Sequence, residues 1–428
     1  MLATLLVTLG ISLLLTVPIA VSLAISTIAV FLIYYPGTPM TNMLAQAMVT
    51  TSDSFPLMAV PFFMLVGTLM DRSGIARRLV RVAEALTGEM PGGLGMAAII
   101  ASMFFAAISG SGPAVVAAIG AILIPAMVQR GYDADYAGAV VASASTIGPV
   151  IPPSIPMIIY GVTVGVSVTK LFTAGFIPGI MMGIGLMIVN YIISKRRGYL
   201  GAPRKGGVKW VLSEVWEAKW ALIMPFIVLG GIYGGIFTPT ESAVIGVVYS
   251  FVVGTSVYKA LDAEKIKESL LEAALLSAIV MILLGGATTF GRLLTLQRIP
   301  EMIAQQMLSI TSNPIIIMIL INIFLIITGM FIDTISNVVL FSPLFVPIII
   351  KVGYDPVFFG VLMTINLCIG FLTPPLGMNL FVAQGVAKVS FESIVYRVLP
   401  FLSVLILTLL LILLFPQIVL FLPNLIGQ

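Results

Sequence analysis

The chain has 428 residues, 60% of them hydrophobic and 9% charged, with 21 Lys+Arg, 17 Asp+Glu and no histidine. A mean hydropathy of +1.17 lies outside soluble usage, and apolar runs of about eighteen or more residues recur from end to end, which predicts an all-α polytopic membrane protein. The lack of histidine removes histidine metal sites, Ser-His catalysis and histidine proton relays, and the single Cys368 leaves no intrachain disulfide. The net charge of +4 is carried by loops between apolar segments, which speaks for a lipid bilayer and not for nucleic acid.

In chain order, residues 2–35 form the first apolar segment, with Pro18 predicting a kink. The first basic residue is Arg72, so no basic signal-peptide region opens the chain and this segment reads as a retained helix. A loop over 38–54 leads to a span near 55–70. In residues 71–90, Arg72, Arg77, Arg78 and Arg81 alternate with Ile75, Leu79, Val82 and Leu86, the spacing of an interfacial amphipathic helix. Residues 95–107 and 114–129 flank Ser109-Gly110-Ser111-Gly112-Pro113. Each arm is short: thirteen helical residues reach about 20 Å, against the ~30 Å hydrocarbon core, so a re-entrant hairpin fits better than two spans.

A broken span (135–166) and a full one (172–193) follow, then a basic stretch, 195–219, with Trp210 and Trp216 beside Trp220 as interface anchors. Spans at 220–236 and up to 258 flank Thr238-Pro239-Thr240-Glu241, which reads as a helix start with Glu241 capping. After a span ending near Phe290, residues 292–307 read as a second interfacial helix. Ser312-Asn313-Pro314 opens a second hairpin with its tip near residues 333–337, a second broken span covers 356–387, and residues 398–422 close the chain.

An offset of 222 superposes two stretches of the chain. Pro125 falls on Pro347, Gly131-Tyr132-Asp133 on Gly353-Tyr354-Asp355, Gly138 on Gly360, Ile147-Gly148 on Ile369-Gly370 and Pro152-Pro153 on Pro374-Pro375. Shared chain-breakers, unlike shared Leu or Val, mark a duplicated unit. The organisation is therefore a first repeat (1–200), a basic Trp-rich loop with an extra span (201–240), and a second repeat (241–428). With residues 195–219 in the cytoplasm and each hairpin returning to its own side, seventeen of the 21 Lys and Arg are cytoplasmic. That orientation has a cytoplasmic N-terminus and an outer C-terminus, and the extra span inverts the second copy.

Inverted repeats with broken helices are the construction of secondary transporters. Where a helix breaks inside a membrane, its freed carbonyls and amides must face protein or a watery, ion-occupied cavity. Half-helix C-termini offer carbonyls to a cation and N-termini offer amides to an anion. The four breaks lie at 109–113, 146–154, 333–337 and 373–379, pairing each hairpin tip with one broken span. Asp333, aligned with Ser111, is an intramembrane carboxylate that reads as a sodium ligand, a proton carrier, a substrate contact or a helix cap. Hydroxyl- and carbonyl-rich breaks without histidine favour an alkali cation over protons.

FAAISGSGPAVVAAIG, IPPSIP, GGIYGGIFTPTESA and IGFLTPPLGMNLFVA, in that order, resemble signatures of the large membrane subunit of TRAP (tripartite ATP-independent periplasmic) transporters. The resemblance implies an elevator-type, sodium-driven importer of small organic acids in the cytoplasmic membrane of a bacterium or archaeon. It implies two partners: a separate small membrane subunit of about four helices, and a periplasmic substrate-binding protein. By position, one sodium site would involve Ser109, Gly148 and Ile151, and the other Asp333, Gly370 and Thr373. Substrate would lie between the tips, near Ser111, Gly112, Ser154, Asp333, Thr334 and Asn379. A primary pump is disfavoured by the missing GxxxxGK[ST] motif, and an intramembrane enzyme by the missing catalytic constellation. A stand-alone sodium- or proton-coupled organic-anion symporter of similar architecture is the alternative reading.

Overall fold

The computed structural model describes residues 1–36, 40–201 and 207–427, and its regular elements there are helices. The first ten are α1 (Leu2–Leu14), α2 (Ile19–Tyr34), α3 (Met40–Ser52), α4 (Ala59–Arg72), α5 (Ile75–Thr87), α6 (Gly93–Ser109), α7 (Gly112–Gln129), α8 (Ala134–Ala144), α9 (Ile155–Val164) and α10 (Val168–Arg197). Then come α11 (Val208–Glu217), α12 (Lys219–Tyr233), α13 (Pro239–Val252), α14 (Ala263–Leu296), α15 (Ile299–Ile310), α16 (Pro314–Gly329), α17 (Thr334–Lys351), α18 (Pro356–Gly370), α19 (Met378–Ala387), α20 (Phe391–Leu414) and α21 (Gln417–Ile426).

The offset of 222 runs through the backbone. α7 and α17 begin and end 222 residues apart, Gly131 and Gly353 both take positive φ (82° and 89°), and the Pro152-Pro153 and Pro374-Pro375 bonds are both cis. The offset also sets α1 and α2 against α12 and α13. This corrects the reading of residues 2–35 as one kinked helix. Thr16 takes a positive φ of 59°, Pro18 stands at the N-cap of α2, and the chain reverses there, so that the Tyr34 hydroxyl meets Thr4 Oγ1 at 3.0 Å. Proline lacks an N–H and is at home at a helix start, so here it begins a helix instead of bending one. In the order of elements α1 is thus the counterpart of α12.

Further differences lie at element edges. Residues 40–52 form a helix, α3, where the sequence reading has a loop (Thr38 is outside the described residues); its Ala, Leu, Met and Gln favour helix, and it lies along α14. α14 continues through Arg292 to Leu296, so the interfacial helix is only α15. Its 34 residues reach about 50 Å, more than the hydrocarbon thickness. Phe415-Pro416 splits the last segment into α20 and α21. α5 buries Ile75, Leu79, Val80 and Ala83 and exposes Arg77 and Arg81, as its spacing predicts. Thr238 and Glu241 form a reciprocal capping box: the Glu241 carboxylate accepts from the Thr238 amide at 2.8 Å.

Both hairpins return to the side they start from. At hairpin one, Gly92 before α6 donates to the Tyr199 carbonyl at 2.9 Å, and the Tyr132 hydroxyl after α7 donates to the Leu200 carbonyl at 2.8 Å. Both ends therefore sit at the basic end of α10. At hairpin two, Asn322 of α16 bonds Asn366 of α18 at 2.7 Å, and Gly329 touches Gly370 seven and four residues further on. α16 and α18 thus run parallel, so the starts of α16 and of α18, which flank the hairpin, share one side. That side is the other one: the Tyr160 hydroxyl, near the end of α9, donates to the Pro356 carbonyl at 2.7 Å, and α10 runs from there to its basic end. The hairpins enter from opposite faces.

α8 and α18 form the centre, buried from Tyr136 to Ala144 and from Val357 to Gly370. α1, α2, α12 and α13 stand outside and expose Leu14, Leu32, Phe226 and Val248. A lipid surround accounts for that apolar exterior.

Candidate functional site: a cleft between two hairpin tips

Each tip packs on its own broken helix. A Cβ on Gly148 would lie 3.3 Å from the Ser111 carbonyl carbon, and one on Gly370 would lie 2.7 Å from that of Gly329, so only glycine lets the backbones approach this closely. The repeats are also interlocked, because α7 packs on α19 and α17 on α9.

Four helix N-termini converge on a cleft of about 420 Å³: Gly112–Ala114 of α7, Ile155 and Pro156 of α9, Thr334 and Ile335 of α17, and Met378 of α19. Ser111 and Asp333 line it beside them, and Met64, Thr68 and Asp71 of α4 with Glu272 and Leu276 of α14 form its other wall. Lys and Arg are absent from the described lining. Positive charge here comes from backbone amides and helix dipoles, equivalent to roughly half a unit charge per terminus. At the rim, Arg72 bonds Glu272 at 2.7 Å and also Glu268, tying α4 to α14.

The sequence-predicted residues divide by position. Ser111, Gly112, Asp333 and Thr334 line the cleft. Asn379 is buried just behind it; its Oδ1 would lie 3.0 Å from a Cβ on Gly112, and its Nδ2 donates to the Ala142 carbonyl at 3.4 Å. Ser154 is fully buried, its hydroxyl donating to the Pro149 carbonyl and capping the Met157 amide at 3.3 Å. Gly148 faces tip one, whereas the Ile151 side chain leans on Gly179 of α10. Ser109 ends α6, and its side chain is outside the described part. At the second tip, Asp333 caps α17 by accepting from the Ser336 amide at 2.9 Å and from the Ser336 hydroxyl. Gly370 abuts Gly329, and the half-buried Thr373 donates to the Ile369 carbonyl at 2.8 Å.

One residue escaped the sequence reading as a candidate. Asn337, one turn after Asp333, is fully buried; its Nδ2 donates to the Ile332 and Asp333 carbonyls, and its Oδ1 has no partner. Thr334 Oγ1 and Asn379 Oδ1 are likewise buried and unpartnered. A buried acceptor without a donor is costly, which makes these oxygens candidates for an ion or water. An amide four residues after an intramembrane carboxylate, inside an apolar helix, was the signal available. Neutral oxygens of this kind suit a hard monovalent cation, and among the described residues no group of three His, Cys, Asp or Glu side chains gathers to hold a metal ion.

Inverted repeats, opposed hairpins and a cleft at their tips are the construction characteristic of membrane transporters. The chain belongs to the family described as Tripartite ATP-independent periplasmic transporter, DctM component, whose model matches residues 6–418. It is 44% identical to the isethionate TRAP transporter permease protein DctMQ of Oleidesulfovibrio alaskensis, over 92% of this chain and 62% of that one. It is 40% identical to the sialic acid TRAP transporter permease protein SiaT of Haemophilus influenzae, over 96% and 66%. The chain thus spans less than two thirds of those two relatives' length. It is 37% identical to the C4-dicarboxylate TRAP transporter large permease protein DctM of Vibrio cholerae, covering 96% and 94%. Among solved structures, the YdaH transporter of Alcanivorax borkumensis shares the fold, with a TM-score of 0.62 at 14% identity over 87% of this chain and 88% of that one.

Proposed function

We propose that this chain is the large permease of a sodium-driven importer of small organic acids, supplied by a periplasmic binding protein and completed by a small membrane subunit of about four helices. The observation that carries this reading is the convergence of four helix N-termini on one cleft whose described lining holds no lysine or arginine. Such helix ends offer amides to an anion, while Asp71, Glu272 and Asp333 of the same lining call for a cation beside it. Its relatives' names, which include C4-dicarboxylate, sialic acid and isethionate, support an organic anion as cargo.

Coupling follows from Asp333. An anion at the start of α17 is repelled by that carboxylate until a cation sits beside it, among oxygens such as Asn337 Oδ1, Thr334 Oγ1 and the carbonyls of the 370–373 break. Sodium bound first therefore favours the organic acid. The tips and broken helices move as one interlocked body against α4 and α14, an elevator displacement. With residues 195–219 inside, this reading takes Met1 to lie on the outer side with the C-terminus, supported by the chain reversal that brings Tyr34 back to Thr4.

Uptake into proteoliposomes holding both membrane subunits, with binding protein outside, should follow an imposed sodium gradient. Equal uptake under a proton gradient in sodium-free buffer would reject sodium coupling. Uptake of free acid by this chain alone would favour the stand-alone symporter.

A further inference from the structure

A second cleft, of about 670 Å³, lies on the other side of the tips from the Asp71–Glu272 rim. α14 and the α3 end form one wall (Thr51, Thr288, Arg292, Thr295), and α9 and α17 form the other (Thr163, Pro343). It therefore separates the scaffold from the hairpin body, at the face where hairpin two enters. Among the described residues Arg292 is the single charged one of the lining, and its exposed guanidinium has no hydrogen bond or ion pair there. The contrast with the opposite mouth is sharp: there Arg72 is held by Glu268 and Glu272, and Asp71 and Glu272 themselves face the cleft between the tips. An arginine on an apolar helix, left without a carboxylate in a hydroxyl-lined cleft, presents a planar fork suited to a carboxylate or sulfonate.

We propose that the Arg292 cleft is an outer receiving site for the acidic group of the organic-acid cargo, holding it before the cleft between the tips opens to that face. This rests on the organic-anion reading above. A lone cation at the outer mouth speeds arrival of an anion, and carboxylates at the inner mouth disfavour its return there, so the charge asymmetry affects rates and not the equilibrium.

The test has two arms. In a Cys368→Ser background, a cysteine replacing Thr295 should react with an anionic sulfonate thiol reagent faster, relative to a cationic trimethylammonium one, when Arg292 is present. Arg292→Gln should lower that rate ratio by about threefold or more at low salt, and Arg292→Lys should largely keep it. In binding-protein-dependent uptake, Arg292→Gln should raise the half-saturating concentration by a similar factor with maximal rate retained. A rate ratio indifferent to Arg292 would overturn the proposal, and so would a ratio that falls while uptake is unchanged. A parent complex that imports no organic anion would instead sink the underlying transport reading, while the thiol arm still shows whether this cleft selects anions.

Discussion

The Asn379 carboxamide, at the start of α19, donates to the Ala142 carbonyl in α8 at 3.4 Å and lays its Oδ1 against Gly112 at the tip of hairpin one. One buried side chain thus ties the second broken helix to the first, directly behind the cleft. Asn379→Ala removes that link and an unpartnered oxygen together, so its folding cost should be small, about 1 kcal/mol or less. Uptake should nevertheless fall about tenfold or more, because the tip loses its support. Uptake assays set beside thermal denaturation in detergent check this, and unaltered uptake would show Asn379 to be packing alone.

At Gly370 the expectation is mechanical. A Cβ there would lie 2.7 Å from the Gly329 carbonyl carbon and 2.8 Å from its Cα, and backbone cannot yield as a side chain does. Gly370→Ala should therefore cost about 1–3 kcal/mol or displace tip two. Gly385→Ala, in α19 with no atom within 4 Å of the added Cβ, is the control and should be neutral or slightly stabilising. Detergent melting curves of the two variants should separate clearly.

Asp333 caps α17, and asparagine caps about as well as aspartate. Asp333→Asn should therefore keep the fold and the small-subunit complex. If the negative charge is needed to hold the cation, uptake should be abolished and sodium should no longer raise substrate affinity. Near-normal sodium-dependent uptake by this variant would reduce Asp333 to its capping role.

Sidedness of the first repeat is open to direct labelling. The Thr4–Tyr34 contact returns the chain to its starting side by residue 34. In a Cys368→Ser background, cysteines replacing Ala3 and Leu425 should therefore both react with an impermeant reagent added outside intact cells, while one replacing Lys265 stays shielded. Protection of the Ala3 position would restore a single crossing over residues 2–35.

Much of the architecture was legible in the sequence because membrane physics writes it there. Lipid enforces long apolar helices, and Gly and Pro at breaks are the residues a repeated backbone geometry cannot replace, so the 222 offset survives in Gly131 and Gly353 and in the two Pro-Pro pairs. The hairpin tips, both broken helices and the α13 capping box were found from such signals. Pro18 was misread because one proline can bend a helix or begin one, and only packing of α1 on α2 decides which. Charge counting could not separate a hairpin from two spans, since both return the chain to the same side; the Asn322–Asn366 and Gly92–Tyr199 contacts did. The four converging N-termini, the unpartnered Asn337 oxygen and the isolation of Arg292 depend on which segments meet across more than two hundred residues. Periodicity records which face of a helix is apolar, but not which distant helix end it meets, and that juxtaposition was settled by the tertiary structure alone.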